Sequence, residues 1–170
     1  MLLLFIPLAL LSGLAAWLLN PPPIDVSIDA EPYSFPRYDD HAGNLPLGAV
    51  VKVTNLSKST VWVLGLPGSP TFADQQLVDG EWTSSMSFST SDPKQWTPLR
   101  PMESLTILAG PISERATELR VGLSFTTERL APTEAHWVYS PAVKIVKRGQ
   151  DYFPEPKPGA QQEEQILPLN

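Results

Sequence analysis

The chain has no cysteine. Disulfides, iron–sulfur clusters, thiolate zinc sites and cysteine nucleophiles are therefore excluded. Histidine is nearly as scarce, with only His41 and His136, far apart in sequence. Basic residues are outnumbered: 12 Lys and Arg against 18 Asp and Glu give a net charge of −6. A nucleic-acid partner would call for a basic patch, so none is expected. There is no Gly-x-Ser-x-Gly elbow, no His-Glu-x-x-His pair and no calcium-loop spacing. Gly65-Leu66-Pro67-Gly68-Ser69 lacks the lysine of a phosphate loop and reads as a turn. No catalytic residue, cofactor or metal ligand is expected.

Proline is abundant instead. The 19 prolines among 170 residues are roughly double ordinary usage of about 5%. A helical bundle is disfavoured, because proline breaks helix interiors. The 42% of hydrophobic residues and 18% of charged residues suit one globular domain rather than a disordered chain.

Residues 2–19 carry no charge, and only Pro7, Ser12 and Gly13 interrupt their apolar run. Eighteen residues of helix would span about 27 Å, close to the hydrocarbon thickness of a bilayer. The segment reads as a signal anchor that contacts the membrane, with Trp17 near the interface. The alternative is a signal peptide cleaved after Ala15 or Ala16, which would release the protein by secretion. The segment that follows holds Asp25, Asp29, Glu31, Asp39 and Asp40 against Arg37 alone, and the domain is placed outside the cytoplasm.

Beyond Pro21, Pro22 and Pro23, a stiff spacer, the periodicity is that of strands. Ile24, Val26 and Ile28 alternate with polar residues, and residues 20–47 otherwise read as a Pro-rich acidic linker. Residues 48–148 read as the folded domain. Strands are expected at 49–54, at Val61–Leu66, at Ser104–Ala109 and at 118–127, where Leu119, Val121, Leu123 and Phe125 share one face. Asp79-Gly80 predicts a tight hairpin turn. The stretch 137–146 is expected to kink at Ser140-Pro141. About seven short strands separated by turn signals predict an all-β antiparallel sandwich, immunoglobulin-like or fibronectin-type-III-like, preceded by one hydrophobic helix. Trp62 occupies the sequence position of the core tryptophan of such domains. Residues 149–170, rich in Pro, Gln and Glu, read as a disordered tail. The domain carries a net +1, whereas the linker and the tail carry −4 and −3.

Few residues offer chemistry. Asp39-Asp40-His41 reads as a solvated loop rather than a metal site, and His136 as an exposed residue opening a strand. Glu81, Glu103, Glu118 and Glu128 lie on different elements, and nothing pairs them for glycoside hydrolysis. Asn55-Leu56-Ser57 matches a glycosylation sequon and reads equally as a polar turn. Trp82, Trp96 and Trp137 are the candidate ligand-binding residues, since exposed indoles can stack on sugar rings.

Five short motifs across 51–123 resemble small bacterial secreted or membrane-anchored proteins of unknown function. They are Val53-Thr54-Asn55-Leu56-Ser57, Val61-Trp62-Val63, Asp79-Gly80-Glu81-Trp82, Leu99-Arg100-Pro101-Met102-Glu103-Ser104 and Arg120-Val121-Gly122-Leu123. Met102 stands where that group's P-G-E-S turn carries glycine. The resemblance implies a β-sandwich in an extracytoplasmic compartment and names no ligand. The expected function is a non-enzymatic interaction or structural module with an unknown protein or polysaccharide partner. A carbohydrate- or cell-wall-binding module is the alternative, and a small hydrolase the third.

Overall fold

Among the described residues strand follows strand, because β-branched residues alternate with polar ones and glycine or proline punctuates the runs. In the computed structural model, which describes residues 23–34, 47–87, 95–128, 134–149 and 151–168, thirteen strands and no helix occur among those residues. They are β1 (Ile24–Ser34), β2 (Leu47–Asn55), β3 (Val61–Leu66), β4 (Ser69–Pro70), β5 (Phe72–Val78), β6 (Glu81–Ser87) and β7 (Trp96–Leu99). Then come β8 (Ser104–Ala109), β9 (Ala116–Thr126), β10 (Glu134–Tyr139), β11 (Val143–Arg148), β12 (Asp151–Pro156) and β13 (Glu163–Pro168).

The strands form two antiparallel layers. The smaller sheet has the order β1-β2-β8. The larger is built on β9, its one long strand. On one edge of β9, β10 pairs with its C-terminal half and β11 with its N-terminal part; β13 and β12 pair outside them. On the other edge β3 and β5 lie end to end, with β7 and β6 outside them. Every position flanking β9 is thus split in two. The break between β10 and β11 falls at Ser140-Pro141, where the kink was expected. There the Ser140 amide donates to the Val121 carbonyl and the Val121 amide donates to Ser140 Oγ. A side chain bridges the ladder just before proline removes a donor.

The core lies between the layers. Ile24, Val26, Val51, Val53 and Ile107 of the smaller sheet meet Val61, Val63, Leu119, Val121, Leu123, Phe125 and Val138 of the larger, all essentially buried. Asp79 and Gly80 both have positive φ, 52° and 86°, as a two-residue hairpin turn demands, and they join β5 to β6. Met102 adopts φ 61°, the left-handed conformation that glycine would accept more readily. The turn is closed by Glu103 N–H donating to the Arg100 carbonyl.

Three expectations are corrected. The tail forms strands β12 and β13. Pro154 and Pro156 are two residues apart, so their missing donors fall on one side of β12, which an edge strand tolerates. The acidic charges of the tail find partners on the domain: Glu155 pairs with Arg148, Glu163 with Arg120 and Glu164 with His136. Next, Trp62 faces away from the core. The β3 alternation buries Val61 and Val63 and leaves Trp62 half-buried on the opposite face. Finally, His136 is a half-buried member of β10, its ring stacked on Phe125 at 5.1 Å. The long helix expected over residues 2–19 lies outside the described residues, as do His41, Asp39 and Asp40; among the described residues no helix is long and apolar enough to cross a membrane.

Candidate functional site

Alternation along β9 sends Leu119, Val121, Leu123 and Phe125 into the core and Glu118, Arg120, Gly122, Ser124 and Thr126 to the other face. That outer face is not simply wet. Gly122, Ser124 and Thr126 are buried there too. Their cross-strand partners are Tyr139, Trp137 and Trp62 respectively. A Cβ on Gly122 would sit 2.4 Å from Tyr139 Cε1, so the tyrosine ring lies flat against the bare backbone. Register then adds Trp96 beside Leu64 and Trp82 beside Leu77 on the same face. All four tryptophans of the described residues therefore stand on the outer side of the larger sheet.

They are not equivalent. Trp82, on the edge strand β6, is 41% exposed, while Trp62, Trp96 and Trp137 are half-buried. Trp82 and Trp137 belong to one continuous array. The Arg120 guanidinium lies 4.7 Å from the Trp82 ring centre and 5.0 Å from that of Tyr139. Tyr139 in turn stacks with Trp137 at 6.3 Å. Trp96 lies on β7 beside Leu64 of β3 and does not line the cleft. The three sequence candidates are thus split: Trp82 and Trp137 are linked, and Trp96 stands apart.

The cleft has a volume of about 590 Å³ and is lined by Leu77, Trp82, Glu118, Arg120, Ser140, Ala142 and the β12–β13 connection from Lys157 to Glu163. Its charges are paired. Arg120 Nε donates to Gln75 Oε1 at 2.6 Å and Nη1 to Glu163 Oε2 at 2.8 Å. Lys157 Nζ donates to both oxygens of Glu118, at 2.8 and 2.9 Å. The connection is pinned from behind by Gln162. Its amide donates to the Ile24 carbonyl at 2.6 Å and accepts from the Val26 amide at 3.0 Å, so it occupies the free edge of β1 as a short piece of strand would.

Arg120, Tyr139, Lys157 and Glu163 are missing from the sequence candidates. Arg120 could have been found from the outward set of the cleanest alternation. Lys157 and Glu163 could not, because their role depends on the tail docking. Of the four scattered carboxylates only Glu118 lines the cleft, and Lys157 holds it. Glu103 instead caps its own turn, accepting from the Arg100 amide. Asn55 is fully buried: Nδ2 donates to the carbonyls of Ser59 and Leu99, and Oδ1 accepts from the amide and hydroxyl of Ser57. A glycan cannot be attached to that nitrogen in the folded protein.

A second groove, of about 510 Å³, runs beside Asp74 at the edge of the core. Asp74 is almost wholly buried. Burial pushes its pKa above the ordinary carboxylate value, and hydrogen bonds from Gln76 and the Gly110 backbone offset this in part. Among the described residues no group of three or more His, Asp or Glu is placed to hold a metal ion. No protein-family profile, curated protein or solved structure matches the chain.

Proposed function

We propose that the protein is a non-enzymatic binding module working outside the cytoplasm, anchored in the membrane by residues 2–19, and that its ligand lies against the outer face of the larger sheet. The observation carrying this reading is the array Trp82–Arg120–Tyr139–Trp137 beside an open cleft. A core needs no aromatic layer on its far side, and rigid indole and phenol rings supply contact area at little entropic cost. An immunoglobulin-like sandwich is the architecture we assign; two antiparallel layers favour it and the outward Trp62 counts against it. The resemblance to small bacterial secreted or membrane-anchored proteins supports the compartment. Carbohydrate is the ligand class favoured by Trp82, since a partly exposed indole bordering a polar cleft suits a sugar ring. A hydrolase is disfavoured, because both cleft carboxylates, Glu118 and Glu163, are engaged by cations.

Co-sedimentation of the full chain, in mild detergent, with insoluble cell-wall polysaccharide tests the reading. Retention should fall about tenfold in Trp82→Ala, the loss of one good stacking contact of roughly 1.4 kcal/mol. Unchanged retention would remove Trp82 from the ligand surface. Mass spectrometry of the native N-terminus tests the tether: a start at Ala16 or Trp17 would mean secretion instead.

A further inference from the structure

We propose that the cleft selects an uncharged glycan chain and rejects anionic and cationic polymers, an inference that rests on the binding-module reading above. Both cations that line the cleft already have carboxylate partners: Arg120 holds Glu163, and Lys157 holds Glu118. The Arg120 guanidinium also lies against two rings, 4.7 Å from the Trp82 ring centre and 5.0 Å from that of Tyr139. An incoming anion would have to displace a resident carboxylate and then remain beside it, and like charges at close range repel. An incoming cation meets the mirror problem with Arg120 and Lys157. A neutral polyol meets neither, and its hydroxyls can donate to paired carboxylates, which keep spare lone pairs.

The shape of the site agrees. An extended peptide is captured chiefly through its main chain at an open sheet edge. The floor of the cleft is instead β9, paired with β5 on one side and, on the other, with β10 and β11 on either side of the break that Ser140 bridges. What it offers is a flat, partly exposed indole at Trp82 and the side-chain amide of Gln161. That combination suits the apolar face and hydroxyl rim of a pyranose.

The test is a titration of the full chain in mild detergent, followed by tryptophan fluorescence. The probes are neutral chito-, cello- and manno-oligosaccharides, set against de-N-acetylated chitosan oligomers and oligogalacturonate. At least one neutral oligomer should bind about tenfold or more tighter than either charged one, and Trp82→Ala should weaken that binding about tenfold. A charged oligomer that binds tightest, with Trp82 still required, would overturn the ligand class and leave the binding-module reading standing. No binding by any probe, with no polysaccharide retention either, would sink both. Glu163→Gln supplies the second arm, since it frees Arg120 in an intact fold. It should raise oligogalacturonate affinity about tenfold relative to that of the neutral probe. An unchanged oligogalacturonate affinity would show that charge pairing is not the filter.

Discussion

The two outward faces of the sandwich are built on the same alternation and end differently. The smaller sheet turns Ser27, Asp29, Lys52 and Thr106 to solvent, together with Leu108. The larger sheet turns out Trp62, Trp82, Trp96, Trp137 and Tyr139, and Trp137 and Trp62 stand opposite Ser124 and Thr126, only 1% and 2% exposed. The first face needs no explanation beyond solubility. The second carries aromatic area the core does not use, and two of its rings, Trp82 and Tyr139, flank Arg120. Excess of that kind separates a surface that does something from one that merely ends the protein.

Substitutions can break or sharpen this contrast. Val121→Asp should have the largest effect, because it buries an unpaired charge between the two layers. Loss of a cooperative thermal transition is expected by circular dichroism. A variant that melts normally would show that the inner and outer faces of β9 are exchanged. Asn55→Ala comes next. It removes the buried donor that ties the Leu99 carbonyl of β7 to the end of the smaller sheet, while the Ser59 carbonyl keeps Ser57 Oγ. A loss of about 2–3 kcal/mol in chemical denaturation is expected. Gly122→Ala should cost about 1–3 kcal/mol, because its Cβ meets the Tyr139 ring. It should also shift tryptophan emission as the ring leaves Arg120, and a neutral result with unchanged emission would deny that packing.

Asp74→Asn should act in the opposite direction. The folded state holds the Asp74 pKa above its unfolded value, chiefly through burial. The native form therefore retains its proton more strongly. The stability this contributes is complete below the ordinary carboxylate pKa and is lost as pH rises through the raised value. The variant should therefore melt higher than the parent near neutrality, with the advantage shrinking as pH falls, followed by scanning calorimetry across pH. Lys52→Ala, on the wet face, should shift stability by no more than about 0.5 kcal/mol. A larger shift would mean that the smaller sheet's surface is not idle.

Much of the fold was legible because it rests on local rules. Alternation located β3, β8 and β9, Asp79-Gly80 marked its hairpin, and Ser140-Pro141 marked its break. The tail was not, because composition reports only what a segment can bury by itself. Pro154, Glu163 and Gln162 become ordered by completing edges made elsewhere, and nothing local announces an edge in need. Trp62 was misplaced for a related reason. Its strand was correct, but which side of a strand faces the core depends on register with Thr126 and Phe125, two positions that sequence cannot align to it. The cleft combines both difficulties. Trp82 was a candidate from composition, whereas Arg120, Lys157 and Glu163 converge only once the tail has docked.

Gln162 also sets a schedule. Its two bonds to Ile24 and Val26 span 138 and 136 residues, among the longest separations the chain allows. β1 can pair with β2 as soon as both have been synthesised, yet its outer edge must wait for nearly the whole polypeptide to emerge. During that interval the first strand is an open template, and a nascent chain stalled before residue 162 leaves it so. The clasp therefore works as a completion signal: the protein hides its most vulnerable edge only when the last segment needed to wall the cleft has arrived.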